Sequence, residues 1–245
     1  MIDNYKNNND IETFITNYES KNSFKLFPIQ RQIIIDIVNG DQSRYNIMLG
    51  TKSGKTTIQS ILAEYYYQFT NVTWVQSSKY ISEQMINILK NKFEDDSKVV
   101  TPDKIVSNHN THINLPNSNI TILPKDADII MFEDYDTLRK SNSRLGVRSL
   151  FDQATLQTIT SNKKLIIFGT PSPKDSDQFY IHNQWKDDPK YYSNIYNTWE
   201  INPVITQDQI KEECRFNKDL YYYFDVKQNL KDYEENLELI NWKEE

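Results

Sequence analysis

Tyr45-Asn46-Ile47-Met48-Leu49-Gly50-Thr51-Lys52-Ser53-Gly54-Lys55-Thr56-Thr57 is the stretch whose reading decides the fold. It opens as a β-type run and passes into a glycine-bounded loop. Ile58, Ile61, Leu62, Tyr65, Tyr66 and Phe69 then recur at helical spacing. Strand, glycine loop and helix in that order suit a triphosphate site. Backbone N–H groups converge on the phosphates, a lysine reaches the β and γ oxygens, and a hydroxyl serves magnesium at a helix N-terminus. Gly54, Lys55 and Thr56 supply those parts in this Walker A-type loop, and Gly50, Thr51, Lys52, Ser53 and Thr57 complete the candidate binding residues. The strict pattern puts its first glycine at position 49; Leu49 stands there, and Gly50 comes one step late.

Outward from the loop, strand and helix signals alternate. Asn71 to Val75 reads as a strand and Ser78 to Phe93 as a helix, while residues 105 to 123 read as a hairpin insertion broken by Asn, His and Pro. Ile129 to Phe132 and Leu165 to Phe168 are nearly continuous apolar runs, the pattern of strands buried on both faces. The first ends in Glu133-Asp134, a Walker B-type pair of carboxylates delivered beside the phosphate loop. Glu133 is assigned to the metal and Asp134 to the attacking water, with Asp136 as the alternative base, although the commoner order is Asp then Glu. The second ends in Gly169-Thr170-Pro171-Ser172-Pro173, where the hydroxyl of Thr170 is placed to sense a γ-phosphate.

Upstream, Phe27-Pro28 opens a helix that Gly40 can end. Downstream, Thr206-Gln207-Asp208-Gln209 fits a capping box. Three regions follow: a polar N-terminal arm (1–25) with a short helix around Ile11 to Tyr18, an α/β core (26–200), and a small helical subdomain (201–245). The fold class is α/β, a P-loop NTPase of the RecA-like (ASCE) type with a mainly parallel sheet flanked by helices.

Composition narrows the function classes. At 245 residues the chain can bury roughly 70–75% of its unfolded surface. With 38% hydrophobic residues and a mean hydropathy of -0.72, no apolar run approaches the roughly 18 residues of a membrane span. Cys214 is the single cysteine and the N-terminus has no signal-peptide pattern, so a reducing, cytoplasmic setting is expected. A net charge of -6 opposes a surface that coats DNA unaided; any DNA contact is local or shared between subunits. His109 and His112 lack partners at metal spacing, and Tyr65-Tyr66-Tyr67, Tyr221-Tyr222-Tyr223 and Lys163-Lys164 read as packing and strand-flanking residues.

Phe27-Pro28-Ile29-Gln30, the phosphate loop, Phe132-Glu133-Asp134 and Phe168 to Pro173, taken in this order with Asn202-Pro203-Val204-Ile205-Thr206 and Tyr222-Tyr223-Phe224, resemble the ATPase domain of tailed-phage large terminase subunits over residues 26 to 230. The resemblance implies an ATP hydrolase using Mg-ATP to drive double-stranded DNA into a procapsid in the host cytoplasm. It also implies portal protein and small terminase subunit as partners, a homo-oligomeric ring when assembled and a monomer in isolation. Gln30 would hydrogen-bond adenine, and Thr170 would couple hydrolysis to motion. Many family members carry an arginine where Thr51 stands; Lys52 is the nearest cation and cannot reproduce a bidentate arginine contact. Arg144 and Arg148 are candidates for an arginine acting on a neighbouring subunit's site. Large terminases carry a nuclease after the ATPase, and none is expected in these residues. A helicase-like or remodelling ATPase and a nucleotide-binding scaffold without turnover are the competing readings.

Overall fold

The structure, a computed structural model, describes residues 10–76, 89, 97–101, 104–108, 110–116, 122–141, 144–160, 163–172 and 176–241. Strands β1 (Arg44–Leu49), β2 (Val72–Val75), β6 (Ile129–Phe132) and β7 (Lys164–Gly169) are buried at every position, as the apolar runs require. With β3 (Ser97–Thr101), β4 (Lys104–Ser107), β5 (His112–Asn114) and β8 (Tyr191–Tyr196) they form one sheet in the order β3-β4-β5-β2-β6-β7-β1-β8. All pairings from β5 to β8 are parallel, whereas β3/β4 and β4/β5 are antiparallel. The expected hairpin insertion is therefore a three-strand extension of one edge. It starts earlier, at Ser97, where β3 pairs antiparallel with β4, Val100 opposite Ile105 and Thr101 opposite Lys104.

Side chains alternate between two helical layers. Tyr45, Ile47 and Leu49 of β1, Ile166 and Phe168 of β7, and Ile129 and Met131 of β6 pack towards α1 (Ile11–Asn22), α2 (Pro28–Asn39) and α3 (Lys55–Tyr67). Leu165, Ile167, Ile130 and Phe132 face the other way, with Tyr135 and Leu138 of α4 (Tyr135–Ser141), Leu150 and Ala154 of α5 (Arg144–Thr160), and Ile181 and Trp185 of α6 (Asp177–Trp185). Met48 meets Phe179 and Val226, the latter opening α10 (Val226–Asn241) after the short α7 (Thr198–Ile201), α8 (Gln207–Glu213) and α9 (Lys218–Tyr221). Among the described residues no helix is long and apolar enough to cross a membrane.

The helix around Ile11 runs to Asn22 and is docked rather than loose: Ile11, Ile15 and Tyr18 are buried, and Arg31 of α2 ion-pairs with Glu19 at 3.4 Å. Tyr65, Tyr66 and Tyr67 are likewise buried, whereas Tyr221 stacks on Trp199, Tyr222 is half-buried and Tyr223 is exposed. The Thr206 capping box forms, with Thr206 N donating to Gln209 Oε1 at 2.8 Å and Gln209 N to Thr206 Oγ1 at 3.2 Å. The helix expected over Ser78 to Phe93 lies outside the described residues apart from Leu89, which is buried in the α1–α3 layer.

Two buried polar devices fix the layers. Lys164 flanks its strand as the sequence suggests, yet its ammonium is internal and donates to Ile37 O at 2.6 Å and Gly40 O at 2.9 Å. It thereby caps the open carbonyls at the end of α2 with a cation on the favourable side of the helix dipole. On the opposite face Asn46 donates to Gln178 O and Ser193 Oγ, both at 3.1 Å, and His182 Nδ1 lies 2.8 Å from Ser193 Oγ. Burial, with Lys186 nearby, pushes His182 down to about 4 from 6.5, against a smaller upward pull from Asp187.

Lys164→Met keeps the volume but uncaps α2, and we expect a loss of about 2 kcal/mol, or roughly 4–8 °C in Tm; an unchanged melting curve refutes the cap. His182 is neutral in the fold, so the unfolded chain gains a proton that the fold refuses once pH drops below 6.5. Stability should decline from pH 6.5 towards 4, and melting of His182→Gln across that window should show a shallower decline than wild type.

Candidate active site

Parallel register sets the ends of three strands side by side: Met48 pairs with Gly169, and Phe132 with Ile167. The loops leaving β1, β7 and β6 therefore share the carboxyl edge of the sheet, where open α/β sheets hold ligands. From β1 the chain makes the turn Gly50 to Gly54 and enters α3, whose first internal bond runs from Ile58 N to Gly54 O at 3.0 Å. The N–H groups of Lys55, Thr56 and Thr57 precede that bond and head the helix dipole. Lys52 and Gly54 take left-handed conformations, at φ 61° and 85°. The loop carbonyls are engaged from outside: Thr51 O accepts from Thr198 Oγ1 at 2.8 Å, Lys52 O from Asn202 Nδ2 at 3.1 Å, and Ser53 O from Gln30 Nε2 at 2.7 Å.

Lys55 Nζ donates to Thr170 Oγ1 at 2.5 Å, and Thr170 Oγ1 in turn donates to Leu49 O at 2.7 Å. Burial lowers the Lys55 ammonium from its ordinary value, opposed by the charges of Asp134 first and Glu133 second. Lysine, threonine and both carboxylates thus sit in one electrostatic neighbourhood. Glu133 is anchored through its backbone, N to Val75 O at 3.0 Å and O from Gln59 Nε2 at 3.2 Å. With its amide oriented to satisfy both neighbours, Gln76 donates to Glu133 Oε2 at 3.3 Å and accepts from Trp74 Nε1 at 3.1 Å. Asp134 opens α4, its carbonyl accepting from Leu138 N at 2.8 Å. Asp136 is turned elsewhere: its buried carboxylate accepts from Ser176 Oγ at 2.5 Å and Asp177 N at 3.2 Å, tying α4 to the start of α6.

The C-terminal segment closes over this edge. Gly50 N donates to Tyr196 O at 3.1 Å, Thr51 N to Tyr223 O at 2.6 Å, and Thr198 N to Phe224 O at 3.0 Å. Asn229 of α10 is fully buried and donates to both Pro171 O, at 3.1 Å, and Tyr222 O, at 2.6 Å.

The ATPase domain of the large terminase of Thermus phage P74-26 matches this arrangement with a TM-score of 0.64 at 11% identity, over 85% of this chain and 95% of that one. The chain has the fold of a large-terminase ATPase domain. The large terminase of a second, thermophilic bacteriophage matches at a TM-score of 0.57 in complex with ADP and 0.58 in complex with ATP-γ-S. Identities are 14% and 15%, over 80% of this chain and 51% of that one. No protein-family model and no curated protein sequence matches.

Within this terminase-type fold, the loop residues Gly50 to Thr57, Glu133, Asp134 and Thr170 come together, with Lys52 and Thr56 exposed. Gln30 is buried beneath the loop, its Oε1 accepting from Phe27 N at 2.9 Å while its Nε2 holds Ser53 O. The side chains of Arg144 and Arg148 lie outside the described residues, as does His109. His112 is buried with Nε2 3.4 Å from Asp126. Thr198, Asn202, Gln59 and Asn229 also reach the loop or the strand ends, and no motif in the sequence marks them for it. Asn197-Thr198-Trp199-Glu200 does carry a helix-start signal, with Glu200 Oε2 accepting from Asn197 N at 2.7 Å, but nothing local tells which distant loop it meets.

The late glycine has a spatial cause. A β-carbon at Gly50 would stand 2.2 Å from Thr198 Oγ1 and 2.7 Å from Phe224 O. Gly50→Ala should cost roughly 1–3 kcal/mol by overpacking, several degrees in Tm; a variant melting with the wild type removes this explanation.

Proposed function

We propose that the chain is the ATPase part of a viral DNA-packaging motor, hydrolysing Mg-ATP to translocate double-stranded DNA into a procapsid. The observation that carries the reading is the meeting of Lys55, Thr170 and the Glu133–Asp134 pair at the carboxyl edge of the sheet. The likeness to large terminases, one of them in complex with ADP and with ATP-γ-S, supports it at the level of fold.

The triphosphate lies along the loop, drawn by the N–H groups at the head of α3 and by Lys55. Thr56 and Glu133 offer the hydroxyl and carboxylate oxygens that suit magnesium; bound there, the ion would neutralise charge on the β and γ phosphates. Asp134 orients the attacking water and takes its proton. Asp136 is spent on Ser176 and Asp177, which favours Asp134 as the base. Thr170, bonded to Lys55, registers the γ-phosphate, and Asn229 joins the turn after it to the C-terminal segment. An arginine from a neighbouring subunit would add on the order of 10³–10⁵ in rate; Arg144 and Arg148 are the candidates. A ring at the procapsid in the host cytoplasm, with portal protein and small terminase subunit as partners, completes the proposal.

Asp134→Asn should lower single-turnover phosphate release at least 100-fold while leaving ATP affinity within a few-fold of wild type, and Lys55→Ala should lose both. Unchanged turnover in Asp134→Asn overturns the catalytic assignment. Tight ATP binding by wild type with no phosphate release, even with DNA, portal protein and small subunit supplied, makes the chain a nucleotide-gated scaffold instead.

A further inference from the structure

In a trans peptide the C=O and the following N–H point in opposite directions. A loop that aims successive N–H groups at an anion must therefore turn its carbonyls outward, where they need donors. The carbonyls of Thr51, Lys52 and Ser53 belong to the peptide units that carry the N–H groups of Lys52, Ser53 and Gly54. Each has a donor, from Thr198 Oγ1, Asn202 Nδ2 and Gln30 Nε2 respectively. The three donors are themselves fixed: Thr198 is wholly buried where α7 begins, Gln30 is pinned by Phe27 N, and Asn202 Oδ1 accepts from Val204 N at 3.3 Å. Left-handed residues such as Lys52 and Gly54 are the kind from which anion-binding nests are built, and for lysine that conformation is unfavourable unless held. The glycines make room for the donors. A β-carbon at Gly54 would meet Gln30 Nε2 at 2.4 Å, as one at Gly50 would meet Thr198 Oγ1 at 2.2 Å.

We infer that Gln30, Thr198 and Asn202 are positioning residues that brace the phosphate loop from behind, and that Gln30 acts on triphosphate affinity whatever the base. Its amide oxygen and nitrogen are directed at Phe27 N and Ser53 O, so its first effect is on the direction of the Gly54 N–H rather than on adenine. The inference rests on the nucleotide-binding reading above, but the brace itself does not require turnover.

The test uses calorimetric titration with ATP, GTP and inorganic tripolyphosphate, each with magnesium, on proteins whose melting curves show them folded. Gln30→Ala should weaken all three ligands by a similar factor, about tenfold. Thr198→Val should do the same, and Thr198→Ser should restore binding. Amide exchange at residues 52–54 without ligand should quicken in Gln30→Ala and Thr198→Val and return to the wild-type rate in Thr198→Ser. A loss confined to ATP makes Gln30 a base contact and overturns the inference, as does unchanged affinity for all three ligands. If wild type binds none of the three, the nucleotide reading fails; loop exchange then decides the brace alone, and unchanged exchange in both variants sinks it.

Discussion

Met48 is paired with Gly169 and Phe132 with Ile167, so the ends of β1, β7 and β6 cannot move apart without breaking ladders buried under helices on both faces. Residues 50, 133 and 170 are neighbours because of that register and nothing local to them. A shift of one residue in any of these strands would turn its whole apolar set to the opposite layer. The alternation of Ile129 and Met131 towards one layer and Ile130 and Phe132 towards the other therefore guards the position of Glu133 and Asp134 as firmly as any bond they make.

This explains which features were legible in the sequence. Buried parallel strands are written as continuous apolar runs, and the loop is written as glycines around a lysine; both signals are local, so β1, β6, β7 and the start of α3 were readable. The half-buried edge strand β8 has no such run, and its Tyr191-Tyr192-Ser193-Asn194-Ile195-Tyr196 is strand only because β1 supplies partners along its whole length. Helix α1 was visible as a helix but not as part of the core, since the residues that receive Ile11, Ile15 and Tyr18 lie on α2 and α3. In sequence Asp134 precedes Asp136 as a candidate base only by its register from the apolar run; the folded chain shows the Asp136 carboxylate committed to the start of α6.

The loop also shows why a glycine can stand one place late: its place is set by the neighbours that Gly50 leaves room for, Thr198 and Phe224. What an anion requires is a set of N–H directions. Those directions follow from where the carbonyls are held, and the holders Gln30, Thr198 and Asn202 stand 23, 147 and 150 residues away along the chain. A pattern written along the chain records only the space left for such neighbours, and another set of neighbours would leave space elsewhere.

The seam between the C-terminal segment and the carboxyl edge of the sheet is knitted largely from main-chain atoms: Tyr223 O, Phe224 O, Tyr222 O and Pro171 O are its acceptors, and the Asn229 side chain spans from one side to the other. Substitution at 222 to 224 changes what projects from the segment and leaves the stitching alone. Such a joint tolerates drift in its side chains while keeping its linkage, and Asn229 is the residue of the seam whose identity matters, because its side chain makes two of the bonds.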